Sequence, residues 1–430
     1  MSFANIGISS AIQKYGPLTG PLAWLSERPL AELLFKDVSC FNAPKMALAR
    51  TGPELIDVAE LELPNTAVTL LASVLLPPWL QRGMSKVTGL PQEQLTQSVE
   101  ELVKSSAKPV ENVLSKIKLA KLGASLAFFF PFAAGFWAVP FLRNYMTLAR
   151  TNTANFDAIV GLEGEKNQTG SGRSVPEEKS HQLGMVIKVI GTGVALGAAS
   201  FFGFGKLAKR FAGEQLPKHL ETFFKTFRLG GKKGNEIEGD WATLVFWSMP
   251  AYLGWIHAAR TKNERIEQTV KAANSIMWFS VLNPVVNLLF YKNAFKRLLN
   301  KPVEKNVLKA ILRQSKDDFS IPKYADILHH PDFEGKRAAL LKLKNRQYGL
   351  GLLQSVVLLG STPQMLNIYF TKRRHERALA SQRAAAQQRT AYAVINPFGG
   401  AARVSVSPGL VVRTDSPFSA LTQARRAAMT

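Results

Sequence analysis

Residues 119–142 read LAKLGASLAFFFPFAAGFWAVPFL. At 1.5 Å per residue, a helix of this length covers the roughly 30 Å hydrocarbon core of a bilayer. Five further apolar stretches lie outward from it, at 65–80, 184–205, 241–259, 274–291 and 348–370. All six are bordered by Lys or Arg, and five hold a proline inside or at the rim. The pattern predicts an all-α, polytopic membrane protein of about six spanning helices. The stretch at 65–80 is the weakest: it is short and meets Pro77-Pro78-Trp79, so re-entrant or interfacial placement is the alternative. Gly193-x-x-x-Gly197, in 184–205, would let a neighbouring helix backbone approach closely.

Composition fits a membrane chain with large polar parts. Hydrophobic residues make up 46%, and 54 Lys plus Arg against 31 Asp plus Glu give a formal net charge of +23. Mean hydropathy is near zero, too low for a protein made almost wholly of spanning helices. An excess of this sign suits anionic lipid or nucleic acid on charge alone. Because the basic residues flank apolar runs, the expected partners are anionic membrane lipids, with a membrane-protein partner or a second copy as the alternatives, and nucleic acid is disfavoured. A single cysteine, Cys40, excludes a disulfide framework and a thiolate metal cage. No charged start precedes an apolar core with a cleavage site, so no cleavable leader is expected. The expected location is the cell inner (cytoplasmic) membrane.

The intervening segments set the organisation. Region 1–64 is N-terminal, with Leu30, Leu33, Leu34, Val38 and Phe41 at helical spacing in 29–43, an amphipathic surface helix too charged to span. Unit 65–157 is a helix pair; 158–182 is a polar, turn-rich linker; 183–268 is a second helix pair. A third pair occupies 274–380, with a basic amphipathic insertion at 292–347 expected to lie on an anionic leaflet, and 381–430 reads as a disordered tail.

A repeat supports the three units. Met46-Ala47-Leu48-Ala49-Arg50-Thr51 recurs as Met146-Thr147-Leu148-Ala149-Arg150-Thr151, and Ala258-Ala259-Arg260-Thr261 is a shorter copy. Seven residues after each arginine stands an acid: Asp57, Asp157 and Glu267. Pro140 to Arg150, Pro250 to Arg260 and Pro363 to Arg373 share a ten-residue spacing. The prediction is three two-helix repeats whose helices are kinked at Pro131, Pro140, Pro250, Pro284 and Pro363 and end in a basic boundary. The expected role of the arginine and its acid is membrane anchoring. The alternative is a salt-bridge network between repeats that gates a central path. The Pro-x-acid-x-x-base signature of the mitochondrial carrier family, another threefold array of helix pairs, is absent.

Chemistry-bearing patterns are few. Asn283 and Asn287 flank Pro284 on one helix face, and with Lys188 they are the candidates for a polar path; their plainer roles are helix-to-helix hydrogen bonding and, for the lysine, reaching the interface. Asp326, His329, His330 and Asp332 have metal-ligand types, but adjacent histidines cannot both face one ion on a regular helix. Glycines 191, 193 and 197 do not match a dinucleotide fingerprint. No catalytic residue, metal site or cofactor is expected, and the chain is not expected to be an enzyme. The expected function is an integral membrane scaffold or assembly protein that binds anionic lipid; the alternative is a transporter-like permease with three helix-pair repeats around a central path.

Overall fold

Leucine, alanine and phenylalanine runs punctuated by proline and glycine fold here into helices, with no strand among the described residues. The structure, a computed structural model, describes residues 3–70, 76–97, 111–162, 173–211, 216–221, 241–303 and 321–395. In chain order the helices are α1 (Phe3–Tyr15), α2 (Thr19–Ser26), α3 (Pro29–Leu34), α4 (Ala43–Ala47), α5 (Gly52–Leu70), α6 (Leu76–Thr88) and α7 (Gln92–Thr96). There follow α8 (Glu111–Thr151), α9 (Phe156–Ile159), α10 (Val175–Arg210), α11 (Trp241–His257), α12 (Lys262–Ile276), α13 (Asn283–Val286), α14 (Asn293–Leu298), α15 (Tyr324–His329), α16 (Arg337–Gln354) and α17 (Thr362–Ile395). Residues 1–373 form one compact unit and 374–430 a second. Within the second, residues 381–395 were expected in the disordered tail but are helical, and 396–430 lie outside the described residues.

The α8–α10 pair is the backbone of the first unit. Its close approach comes from small residues: a Cβ on Gly193 would stand 2.8 Å from the carbonyl oxygen of Phe130, and one on Gly197 3.1 Å from that of Ala127. Gly254 brings α11 equally close to α8, 2.9 Å from Trp137 Cα. α10 starts where Ser174 and Glu177 form a capping box ahead of Pro176. Among the described residues, two helices are long and apolar enough to cross a membrane: the run Val113–Thr151 within α8, and α10. The most apolar window of α8 is 61% buried inside the chain, that of α10 only 17%, so α10 turns its apolar face outward.

The other expected spans look different. Stretch 65–80 is divided between the end of α5 and the start of α6, with 71–75 outside the described residues. α5 begins much earlier than 65, at Gly52, because Thr51 caps its first turn. Stretches 274–291 and 348–370 lie in long rods. Residues 262–298 stay helical through π-helical turns at Met277–Leu282 and Asn287–Lys292, and residues 337–373 do so through Ser355–Ser361. Pro131 and Pro140 lie inside α8 and Pro250 inside α11, whereas Pro284 and Pro363 stand directly after π turns. The wider turn absorbs a ring that would strike the preceding carbonyls. At 363 the proline offers no N–H to the Leu358 carbonyl five residues back, and Asn274 Nδ2 donates to that oxygen instead at 2.8 Å.

Polarity is inverted on several helices. In the segment 29–43, expected as an amphipathic surface helix, Asn42 is buried, as is Lys45 just beyond it, while Leu30, Leu34, Phe35 and Val38 are exposed and Glu32, Lys36 and Asp37 are half-buried. α5 buries Glu54, Asp57, Glu62, Asn65 and Thr66 and exposes Leu55, Ile56 and Leu63. α12 buries Glu264, Glu267, Gln268, Lys271 and Ser275, and its rod then exposes Met277, Val281, Leu282, Leu289 and Phe290. α17 buries Gln364, Asn367 and Thr371 and exposes Met365, Leu366, Tyr369 and Phe370.

Candidate functional site

The inward polar residues meet in a layer of charge. Arg50 and Arg260 stand at the heads of α5 and α12, and each opens an Arg-Thr-x-x-Glu segment. The threonine caps its helix: Thr51 Oγ1 accepts from Glu54 N–H at 3.1 Å, and Thr261 Oγ1 from Glu264 N–H at 3.2 Å. The glutamate returns the bond, accepting from the arginine backbone N–H at 2.5 Å in one copy and 2.6 Å in the other. It also holds the guanidinium, with Arg50 to Glu54 at 2.7 Å and Arg260 to Glu264 at 2.9 Å.

Across the layer the two segments exchange their acids. Arg50 Nη1 and Nη2 donate to the Glu267 carboxylate at 3.1 and 3.3 Å, and Arg260 Nη1 and Nη2 donate to Asp57 at 2.9 and 3.0 Å. Each arginine thus takes the acid that stands seven residues beyond the other arginine. Phe156 of α9 lies between them, its ring centre 5.7 Å from the Arg50 guanidinium and 5.6 Å from that of Arg260.

Two further helices close the layer. From α8, Arg143 Nη2 reaches Glu264 at 2.6 Å, and Thr147 Oγ1 reaches Asp57 at 2.6 Å. From α17, Thr371 Oγ1 donates to Glu267 at 2.5 Å and Gln364 Nε2 to Glu54 at 3.2 Å. Three guanidiniums, from Arg50, Arg143 and Arg260, therefore face four carboxylates, from Glu54, Asp57, Glu264 and Glu267. Burial would raise the Asp57 carboxyl, but Arg260 and Arg143 outweigh it and hold the group well below the usual carboxylate range. Against the same burial, Arg143 and Arg260 hold Glu264 down, while Asp57 and Glu264 hold Arg260 up.

The remaining expected boundary residues stand apart. Arg150 is exposed at the rim and pairs with Glu60 at 3.3 Å. Asp157 accepts from Asn263 Nδ2 at 3.2 Å, with no arginine on it. Arg373 is exposed and donates to Tyr369 Oη at 3.0 Å. The plus-seven spacing found Arg50, Asp57, Arg260 and Glu267 but missed Glu54 and Glu264. A plus-four glutamate is present after Arg50 and Arg260 and replaced by Ala154 after Arg150, which was the available signal. Arg143, Thr147, Gln364 and Thr371 carry no such signal.

Behind the layer lie two cavities, met in the same order along the rods 262–298 and 337–373, while α5 reaches only the first. Asp57 to Asn65, Glu267 to Ser275 and Asn367 to Leu359 are each eight residues apart, about 12 Å along a helix. The three farther residues line a cavity of about 450 Å³, along with Phe136 of α8 and Trp255 of α11. Its polar walls include Glu62, which Lys45 holds from behind at 2.7 Å, the Asn42–Thr66 bond at 2.9 Å, and Asp37. The Asn65 amide and the Trp255 indole N–H are buried there without hydrogen-bond partners among the described residues. Farther along the same rods, a second cavity of about 490 Å³ shares Lys36 and Ser355 with the first and adds Lys323, Lys344, Asn283 and Asn287. Burial pushes Lys344 down to about 8, with Glu32 opposing. Asn287 Nδ2 donates to the Asn283 carbonyl oxygen at 3.0 Å, and Gln347 Nε2 donates to Asn287 Oδ1 at 3.2 Å. Lys188, the other candidate for a polar path, is exposed on α10 and lines neither cavity.

No protein family, curated protein or solved structure matches this chain, so its own chemistry carries the functional reading.

Proposed function

We propose that the chain is an integral membrane permease whose solute path is closed at one end by the ionic layer, with the two cavities forming the rest of the path. The observation that carries this reading is the shared order on the rods: paired charge first, then a chamber with unpartnered polar groups, then a basic vestibule. Inverted polarity supports the membrane. A polar interior under exposed Leu, Ile, Val and Phe is the distribution expected when the solvent is lipid. The six-span reading draws on the same feature, since the rods of 262–298 and 337–373 carry their exposed apolar residues near their π turns. A helical bundle of this kind belongs in a cytoplasmic rather than an outer membrane, where closed barrels prevail.

The reciprocal exchange favours two repeats over three. In this reading 29–70 with α8, and 241–276 with α16 and α17, are related by a pseudo-twofold axis, and the Arg150 copy supplies Phe156 and Asp157 as a wedge at the axis. The basic excess, including what lies in 292–347, would contact anionic lipid at the leaflet; residues 304–320 of that insertion lie outside the described residues. A scaffold role remains the competing outcome of the test. In a Cys40→Ser background, Ser275→Cys in proteoliposomes should react with a charged, impermeant thiosulfonate from one side only, and adding Asp57→Asn should open it to the other side. Inert Ser275→Cys from both sides, together with a stable stoichiometric membrane partner, would replace the permease by the scaffold.

A further inference from the structure

The first cavity has walls more specific than a water-filled passage needs. Phe41, Phe132, Phe136, Tyr252 and Trp255 surround it with aromatic faces. Its charges are largely spent on one another: Glu62 is held by Lys45 at 2.7 Å, and Lys36 by Glu32. Asp37 is different, because its carboxylate lines the cavity with no hydrogen-bonded or ion-paired partner among the described residues. The Asn65 amide and the Trp255 N–H are 93% and 92% buried (7% and 8% exposed) and also lack partners. Groups of this kind are costly to bury unless something else satisfies them.

We infer that this cavity is the binding site for a small organic monocation with an aromatic or aliphatic body, an amine in chemical class, with Asp37 as its counter-ion, Asn65 as its hydrogen-bond partner and the aromatic walls around it. The inference rests on the permease reading and names the class of solute. Cations are drawn to ring faces, and a lone carboxylate supplies the charge that discriminates an amine from its alcohol or acid analogue. The field at Asp37 agrees. The groups facing it are Glu62, Lys45 and Lys36; burial, with Glu62 adding, pushes its carboxyl up to about 6 while the two lysines oppose. The site as it stands therefore disfavours a bare anion there and has room for one more positive charge. A proton and the amine would compete for the same carboxylate. Binding should be present above about pH 6 and weaken as the pH falls through it.

Calorimetric titration of the full-length protein in detergent tests this with three probes of one shape: phenethylamine, 2-phenylethanol and phenylacetate. Phenethylamine should bind more tightly than the other two, and lose about tenfold in affinity between about pH 8 and pH 5, where Asp37 takes up its proton. Asp37→Asn should abolish that pH dependence and weaken amine binding at least about tenfold, while raising the melting temperature, since it removes a half-buried carboxylate with no ion-pair partner among the described residues. Asp37→Glu should retain the preference for the amine. No binding of phenethylamine, equal binding of the alcohol or the acid, or an Asp37→Asn variant with unchanged affinity would overturn the inference. Amine binding without one-sided access at Ser275→Cys would leave the site standing and remove the permease; one-sided access without amine binding would do the reverse.

Discussion

Arg260 is bound to Asp57 and to Glu264 and is 3% exposed at its side chain, so removing its charge leaves two buried carboxylates to share Arg143 alone. Breaking a buried pair by deleting one partner costs about 3–5 kcal/mol. Arg260→Gln should destabilise by that order, and Arg150→Gln, at the exposed rim, by about 1 kcal/mol or less; thermal melting in detergent separates the two. An equal loss at both positions would contradict a distinct buried layer. The pH dependence follows from the same atoms. Asp57 and Glu264 are held below their unfolded values, so their stabilisation is complete above about pH 5 and is lost as the pH falls through the folded values. The protein should therefore keep its layer at about pH 4 and lose it in stronger acid, and Arg260→Gln should move that acid transition upward.

The α8–α10 contact offers a comparison inside one helix. Gly193 has no room for a Cβ, whereas Gly191, two residues away, has nothing within 4 Å of that position. Gly193→Leu should cost about 1–3 kcal/mol through forced separation of the helices. Gly191→Ala should be neutral or stabilising by about 0.5–1 kcal/mol, because alanine is the better helix former. Melting curves of the two variants test this, and similar curves would mean that the helices do not touch along that face. The small-residue spacing at 193 and 197 was legible because GxxxG has one physical meaning, close backbone approach. The π turns before Pro284 and Pro363 were not, since a proline signals a disturbed helix without saying whether it bends, breaks or widens.

At the scale of the molecule, the outward face of α10 is where a lipid solvent can be tested. Val194 is 53% exposed near the middle of that helix. In water Val194→Arg would be close to neutral, but at mid-bilayer it should cost about 2.5–3.5 kcal/mol on insertion scales. The variant should fall in abundance in the membrane fraction, and the wild type should remain in the pellet after alkaline carbonate washing. Release of folded wild-type protein into the supernatant would exclude an integral protein.

From the sequence alone the helical class, the apolar length of 119–142 and 184–205, the basic balance and the Arg-to-acid spacing could be read, because each depends on residues near one another along the chain. A spacing of seven says that Asp57 follows Arg50 and Glu267 follows Arg260, two turns along a rod. It cannot say that the acids are exchanged, because that pairing joins residues 203 and 217 positions apart. Only tertiary structure decided this, together with the burial of Asn42 and Lys45 beside exposed Leu30, Leu34 and Val38. Periodicity reports that a helix has two faces; which face meets the bundle and which meets the solvent depends on what packs against it, and here the polar face found the partners.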